Sequence, residues 1–176
     1  MIVSNSGPLI HLAKAGRLDL LKELFGKVII PYEVKLEVID GGKDEGMADA
    51  FLIESEVENG WIVIDKTSNN KLKEIAQSAG IDMGEAAAIM LAKSMKCAVL
   101  IDDFAARRLP IGLGLEVVGS IGVLIRCAKM QKISKSEALV SLGKLGRVMW
   151  LSIDVYEDAR KIIDQMTPEK IETDRR

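Results

Sequence analysis

The chain reads as an α/β protein, a sandwich of helices on a mostly parallel central sheet, and three observations predict this class. Short β-rich apolar runs, Ile2-Val3, Val28 to Ile30, Trp61 to Ile64 and Cys97 to Ile101, alternate with segments of helical apolar spacing. The run Cys97 to Ile101 is apolar at every position and is followed at once by Asp102-Asp103, the pattern of a central parallel strand buried on both faces. A length of 176 residues, 48% of them hydrophobic, suits one domain with one substantial core. No internal repeat divides the chain, so residues 1–166 are assigned to that domain and 167–176 to a polar, frayed tail.

Each element follows from local chemistry. Ile2-Val3 opens a strand that Asn5-Ser6-Gly7-Pro8 breaks, and Pro8 sits at a tolerated first-turn position of the helix carrying Leu9, Ile10, Leu12 and Ala13. Gly16 separates it from a second helix, Leu18 to Phe25, and Pro31 halts the strand Val28 to Ile30. A helix from Tyr32 to Ile39 carries Glu37, with Gly41-Gly42 as its expected stop. Met47, Phe51, Leu52 and Ile53 predict a short helix before the strand Trp61 to Ile64, and Ser68-Asn69-Asn70 caps another that runs to about Ser78. A long helix spans Met83 to Lys96, rich in small residues from Ala86 to Ala92 that permit close packing. After the Cys97 to Ile101 strand come a short helix, Phe104 to Leu109, stopped by Pro110, and a last strand within Gly114 to Gly119. Ser120 is expected to cap a helix reaching Lys129, Ser134 and Glu137 have capping-box spacing, and a final helix covers Val155 to Met166.

Composition narrows the function. Twenty-four Lys and Arg stand against 26 Asp and Glu for a formal net charge of -2, so the chain is no strongly basic nucleic-acid binder, and any such binding is local. Cys97 and Cys127 lack C-x-x-C spacing and read as reduced core residues. Neither a leader-like N-terminus nor a run of about 20 apolar residues is present, which predicts a cytoplasmic protein with no membrane partner.

The chemistry-bearing candidates are Asn5, Glu37, Glu85, Asp102 and Asp103, each at the edge of an apolar run. Strand ends in parallel sheets gather sites at their carboxyl side, so these groups can converge there. Oxygen donors of this kind suit Mg2+ or Mn2+, and a gathered set of carboxylates calls for a cation or a shared proton. Such an ion lowers the pKa of a bound water and stabilises charge developing on a phosphodiester. Each residue also has a plainer reading: Asn5 as a strand-to-helix cap, Glu37 as a solvated helix residue with Glu33 equally placed, Glu85 and the Asp102-Asp103 pair as helix-start carboxylates. Arg107 and Arg108 read either as neutralisers of RNA phosphates or as solvated charge. His11, the sole histidine, cannot make a His-rich zinc site and reads as packed or surface-facing.

Four blocks taken together resemble a known family. Val3-Ser-Asn-Ser-Gly-Pro-Leu-Ile10, Ile30-Pro-Tyr-Glu-Val-Lys-Leu-Glu-Val38, Asp82-Met-Gly-Glu-Ala-Ala-Ala-Ile-Met-Leu-Ala92 and Leu100-Ile-Asp-Asp-Phe-Ala-Ala-Arg107, the last followed by Gly114 to Gly122, resemble in order those of PIN-domain proteins, nearest a prokaryotic branch related to VapC toxins. The resemblance covers roughly Met1 to Ile125 and extends over the remaining helices. It implies a three-layer α/β/α PIN-like fold, an acidic site for Mg2+ or Mn2+, endoribonuclease activity, frequent homodimers and, for toxins, a small antitoxin protein. By position, Asn5 takes the first acidic place, Glu37 the second, Glu85 the third, and Asp102 or Asp103 the fourth, with Asp82 close enough to act through water. Asn5 departs from the pattern: an amide oxygen ligates a hard cation without charge, so metal affinity and water activation should fall. Two functions therefore stand, a metal-dependent ribonuclease and a catalytically weakened PIN-like module that binds RNA or protein.

Overall fold

The computed structural model describes residues 1–67 and 69–166. Five parallel strands, β1 (Ile2–Ser4), β2 (Val28–Pro31), β3 (Ile62–Asp65), β4 (Val99–Leu100) and β5 (Val117–Val118), form one sheet in the order β3-β2-β1-β4-β5. In register, Ile2 pairs with Val28, Ser4 with Leu100, and Pro31 with Asp65. The strand order reverses direction between β1 and β4, and open parallel sheets hold ligands at such a switch point, beyond the carboxyl ends of the strands.

Alternation along the strands sends side chains to two cores. Ile2, Val28, Ile30 and Leu100 face one layer, where α1 (Ser6–Lys14), α2 (Asp19–Phe25), α9 (Ser120–Lys129), α10 (Lys135–Val148) and α11 (Ile153–Asp164) bury residues such as Leu9, Leu20 and Leu124. Val3, Ile29, Val99 and Ile101 face the other, against Ala88, Ile89 and Ala92 of α7 (Met83–Met95). Alanines let α7 approach the sheet closely, and burying Ile89 alone contributes about 2 kcal/mol. The fold is thus the three-layer α/β/α arrangement expected, with a sheet that is parallel throughout its described strands.

Four local expectations are corrected. Gly41-Gly42 does not stop the helix that begins at Tyr32: α3 (Tyr32–Lys35) runs into a π-helical segment, Leu36–Gly41, and then α4 (Gly42–Asp44). Gly42 is there for packing, because a Cβ on it would lie 2.7 Å from the Cβ of Ala50 in α5 (Ala48–Glu58). Pro110 lies inside α8 (Arg108–Gly112), in a first turn whose N–H groups have no intrahelical acceptor, and Phe104 to Arg107 form turns before it. The N-cap of α9 is Gly119, with Ser120 as its first helical residue. The strand expected near Cys97 to Ile101 is paired only at Val99–Leu100, although Ile101 remains fully buried. The helix α6 (Leu72–Ala79) follows an Asx turn in which Asn69 Oδ1 accepts from the Lys71 N–H at 3.0 Å. The tail expected at 167–176 lies outside the described residues.

Candidate functional site

Asn5 and Asp102 stand just past the carboxyl ends of β1 and β4, neighbours across the switch point. Asn5 is only 6% exposed, and among the described residues its Oδ1 is the buried side-chain polar atom without a hydrogen-bond partner. A buried acceptor left without a partner costs about 1–3 kcal/mol, a cost that a water or a cation beside it relieves. It does not serve as a side-chain cap of α1. Asn5 nonetheless holds the N-cap position of α1 with extended backbone, so the plainer reading stands for its backbone while its side chain is left for another partner.

Asp102 is held from three directions. Its Oδ1 accepts from the Ser120 backbone N–H at 2.7 Å, while its Oδ2 accepts from Ser120 Oγ at 2.6 Å and lies 2.7 Å from His11 Nδ1. Burial pushes the carboxyl up, but the His11 and Ser120 hydrogen bonds outweigh it, and the net position is below the usual carboxylate value. Asp102 also sits at the N-terminus of α9, where a negative charge is favoured, so it acts as that helix's cap from eighteen residues away. Gly119 makes room for this: a Cβ there would collide with the Arg107 guanidinium and lie 3.0 Å from Asp102 Oδ1. His11, set aside in the sequence, belongs to this network, and no local motif marked it, because its partner lies 91 residues away.

A second group of acids lies at the start of α7. Asp82 and Glu85 form a capping box, Glu85 N–H to Asp82 Oδ1 at 2.7 Å and Asp82 N–H to Glu85 Oε2 at 3.2 Å. Burial raises the Glu85 carboxyl above its ordinary value; the Asp82 N–H bond opposes this, while the charges of Asp82, Asp103 and Glu37 reinforce it. Those three carboxylates thus share one field with Glu85. Glu37 lies within the π-helical segment, accepts from Ser6 Oγ at 2.5 Å, and sits over Gly84, where a Cβ would come within 3.2 Å of Glu37 Oε2. π segments recur at functional sites because the extra residue re-aims a side chain. The Ser6 contact connects Glu37 to the residue after Asn5, so the two groups adjoin.

Asp103 is exposed, and its Oδ1 accepts from the Ala106 N–H at 2.8 Å. The structure thus separates the adjacent aspartates: Asp102 is fixed beside Asn5, and Asp103 turns toward the field of Glu85. Arg107 donates through Nε to the Ile101 carbonyl at 3.0 Å and braces the loop, whereas Arg108 is exposed. Among the described residues, no three His, Cys, Asp or Glu side chains close on a single ion position. The reason is visible in the bonds: the Asp102 oxygens face His11 and Ser120, and position 5 supplies an amide.

Elsewhere, Cys127 is buried and its thiol is pushed up to about 11, chiefly by that burial, consistent with an unreactive core cysteine. No helix among the described residues is long and apolar enough to cross a membrane.

A family model described as a PIN domain matches residues 1–165, which takes in the four sequence blocks and the helices that follow them. No curated protein and no solved structure gives a significant match.

Proposed function

The chain belongs to the PIN domain family, whose members are generally nucleases that bind nucleic acid and depend on divalent metal, and we propose on that premise that it is an endoribonuclease that hydrolyses RNA phosphodiesters with Mg2+ or Mn2+. Asn5, Glu37, Glu85, Asp102 and Asp103 would hold the ion. The observation that carries this reading is the buried, unpartnered Asn5 Oδ1 beside a carboxylate kept ionised. An all-oxygen donor set suits a hard cation, and the mutual repulsion around Glu85 is what a cation relieves. The residues present therefore fit the group.

When bound, the ion would supply a more acidic water and charge stabilisation at the phosphodiester. The chain's own residues set the rest. His11 and Ser120 fix both Asp102 oxygens, Ser6 orients Glu37, and Asn5 offers a neutral donor. Glu85, crowded by the charges of Asp82, Asp103 and Glu37, would be a ligand whose repulsion the ion relieves. Arg108 offers an exposed guanidinium to a phosphate, while Arg107 shapes the loop beneath. Cleavage of a mixed RNA pool with Mn2+ tests the proposal: the wild type should cut and Glu85→Gln should lose most of that activity, whereas equal activity in both overturns it.

A second reading, a PIN-like module that binds RNA or protein with weakened catalysis, draws on the amide at position 5 and on the absence, among the described residues, of three acids closed on one point. It predicts RNA binding without Mg2+ or Mn2+ binding at millimolar concentration. The toxin role, the antitoxin partner and the homodimer belong to the same proposal and rest on the family resemblance alone, while the cytoplasmic location is proposed from the sequence pattern. Co-purification with a neighbouring gene product and light scattering of the purified chain check the first three.

A further inference from the structure

A groove of about 440 Å³ opens between the segment after β3 and the side of α7 away from the sheet centre. Its size lies within the range of small-molecule sites, about 300–1,000 Å³. Met90 and Leu91 of α7 form an apolar wall, and Asp65, Asn70 and Lys71 face it from the other side. Glu33 lines this groove and also a smaller one of about 390 Å³ whose walls include Glu37, Asp82 and Gly84. Glu33 thus borders both grooves, and the larger one adjoins the acidic site.

We infer that the larger groove is a nucleotide subsite, holding the base of an RNA residue near the cleaved bond and preferring bases that carry an exocyclic amino group. The inference rests on the nuclease reading of the acidic site. An apolar wall opposite polar side chains matches the needs of an unstacked base, whose π face wants apolar contact and whose edge wants hydrogen bonds. The polar side is biased. Glu33 and Asp65 are acceptors when ionised, and Asp65 uses Oδ1 for the Thr67 N–H at 2.8 Å, leaving Oδ2 for a ligand donor. Carboxylates accept from the amino groups of cytosine, adenine and guanine, whereas uracil offers only N3–H, flanked by two carbonyl oxygens that a pair of carboxylates repels. Lys71, on the turn fixed by Asn69, brings an ammonium suited to the attached phosphate.

The test uses the intact chain in EDTA, so that it reads binding apart from cleavage. Backbone amide shifts are followed during titration with CMP, AMP, GMP and UMP. The expected result is perturbation at Asn70, Lys71, Met90 and Leu91, with UMP weaker than the other three by about tenfold. Met90→Trp, which fills the groove, should abolish these shifts, and Asp65→Asn, which adds a donor, should bring UMP level with CMP. Failure of all four nucleotides to shift these amides, equal saturation by all four in the wild type, or shifts that survive Met90→Trp would each overturn the inference. Nucleotide binding in the groove by a chain whose RNA cleavage ignores Glu85→Gln would leave the subsite standing and sink the nuclease reading alone.

Discussion

Replacing Asn5 by Asp restores the missing charge, and its consequences can be worked from the structure. Asn5 Oδ1 and Asp102 Cβ lie 3.9 and 3.7 Å from the same point, the Cβ position of Gly7. A carboxylate at position 5 thus stands within about 8 Å of Asp102, and at an effective permittivity of about 20 the repulsion is about 2 kcal/mol. Position 5 is 6% exposed, so burial of the new charge adds to this cost. Without metal, Asn5→Asp should therefore unfold at a temperature lower by about 4–8 °C, the shift about 2 kcal/mol gives a domain of this size. With Mn2+ the sign reverses, because the same charge now faces a cation: calorimetric Mn2+ affinity should rise by more than about tenfold. Thermal unfolding in EDTA and in Mn2+, beside the calorimetric titration, reads both effects. A variant as stable as wild type in EDTA, with unchanged Mn2+ affinity, would refute the placement of Asn5 in a shared acidic site.

Other substitutions separate site from scaffold. Ser120→Ala removes one hydrogen bond to the Asp102 carboxylate and should cost about 1.5–3 kcal/mol at pH 7 by urea unfolding. Because the folded carboxyl of Asp102 lies below its ordinary 3.8, the stability it contributes is complete above that value and is lost as pH falls through the folded value. The gap between wild type and Ser120→Ala should therefore narrow below pH about 4, and a gap constant from pH 7 to pH 3 would contradict the assignment. Gly84→Ala adds a Cβ 3.2 Å from Glu37 Oε2 and 3.4 Å from Asp82 Oδ1. The better helix former offsets this crowding, so stability should move by less than about 1 kcal/mol, while displacement of Glu37 lowers Mn2+ affinity and RNA cleavage together. Unchanged metal binding in a well-folded Gly84→Ala would remove Glu37 from the site.

What the sequence revealed follows the range of the forces involved. Strands and helices with a strong local pattern, such as β2 ending at Pro31 or the Ser134–Glu137 capping box, were legible because their causes lie within a few residues. The N-cap of α9 was not, since the carboxylate that caps it comes from Asp102, and Ser120 turns its hydroxyl to that same group. Gly41-Gly42 looked like a stop, yet Gly42 is small to admit Ala50, a contact between helices that a linear pattern does not encode. The five candidate positions were singled out through the order of their blocks. Their division into an inner pair, Asn5 with Asp102, and an outer set around Glu85 depends on His11, Ser6 and Ser120, residues whose partners are 18 to 91 positions away. The Asp82–Glu85 capping box had a readable signature, Asp three residues before Glu at a helix start.

The central claim is that these positions surround one divalent ion. Anomalous diffraction from crystals of the protein soaked in Mn2+ tests it most directly. The account predicts a peak within ligand distance, about 2.0–2.4 Å, of Asn5 Oδ1 and of at least two carboxylates among Glu37, Glu85, Asp102 and Asp103. A peak elsewhere, or none at a Mn2+ concentration that supports RNA cleavage, would contradict it.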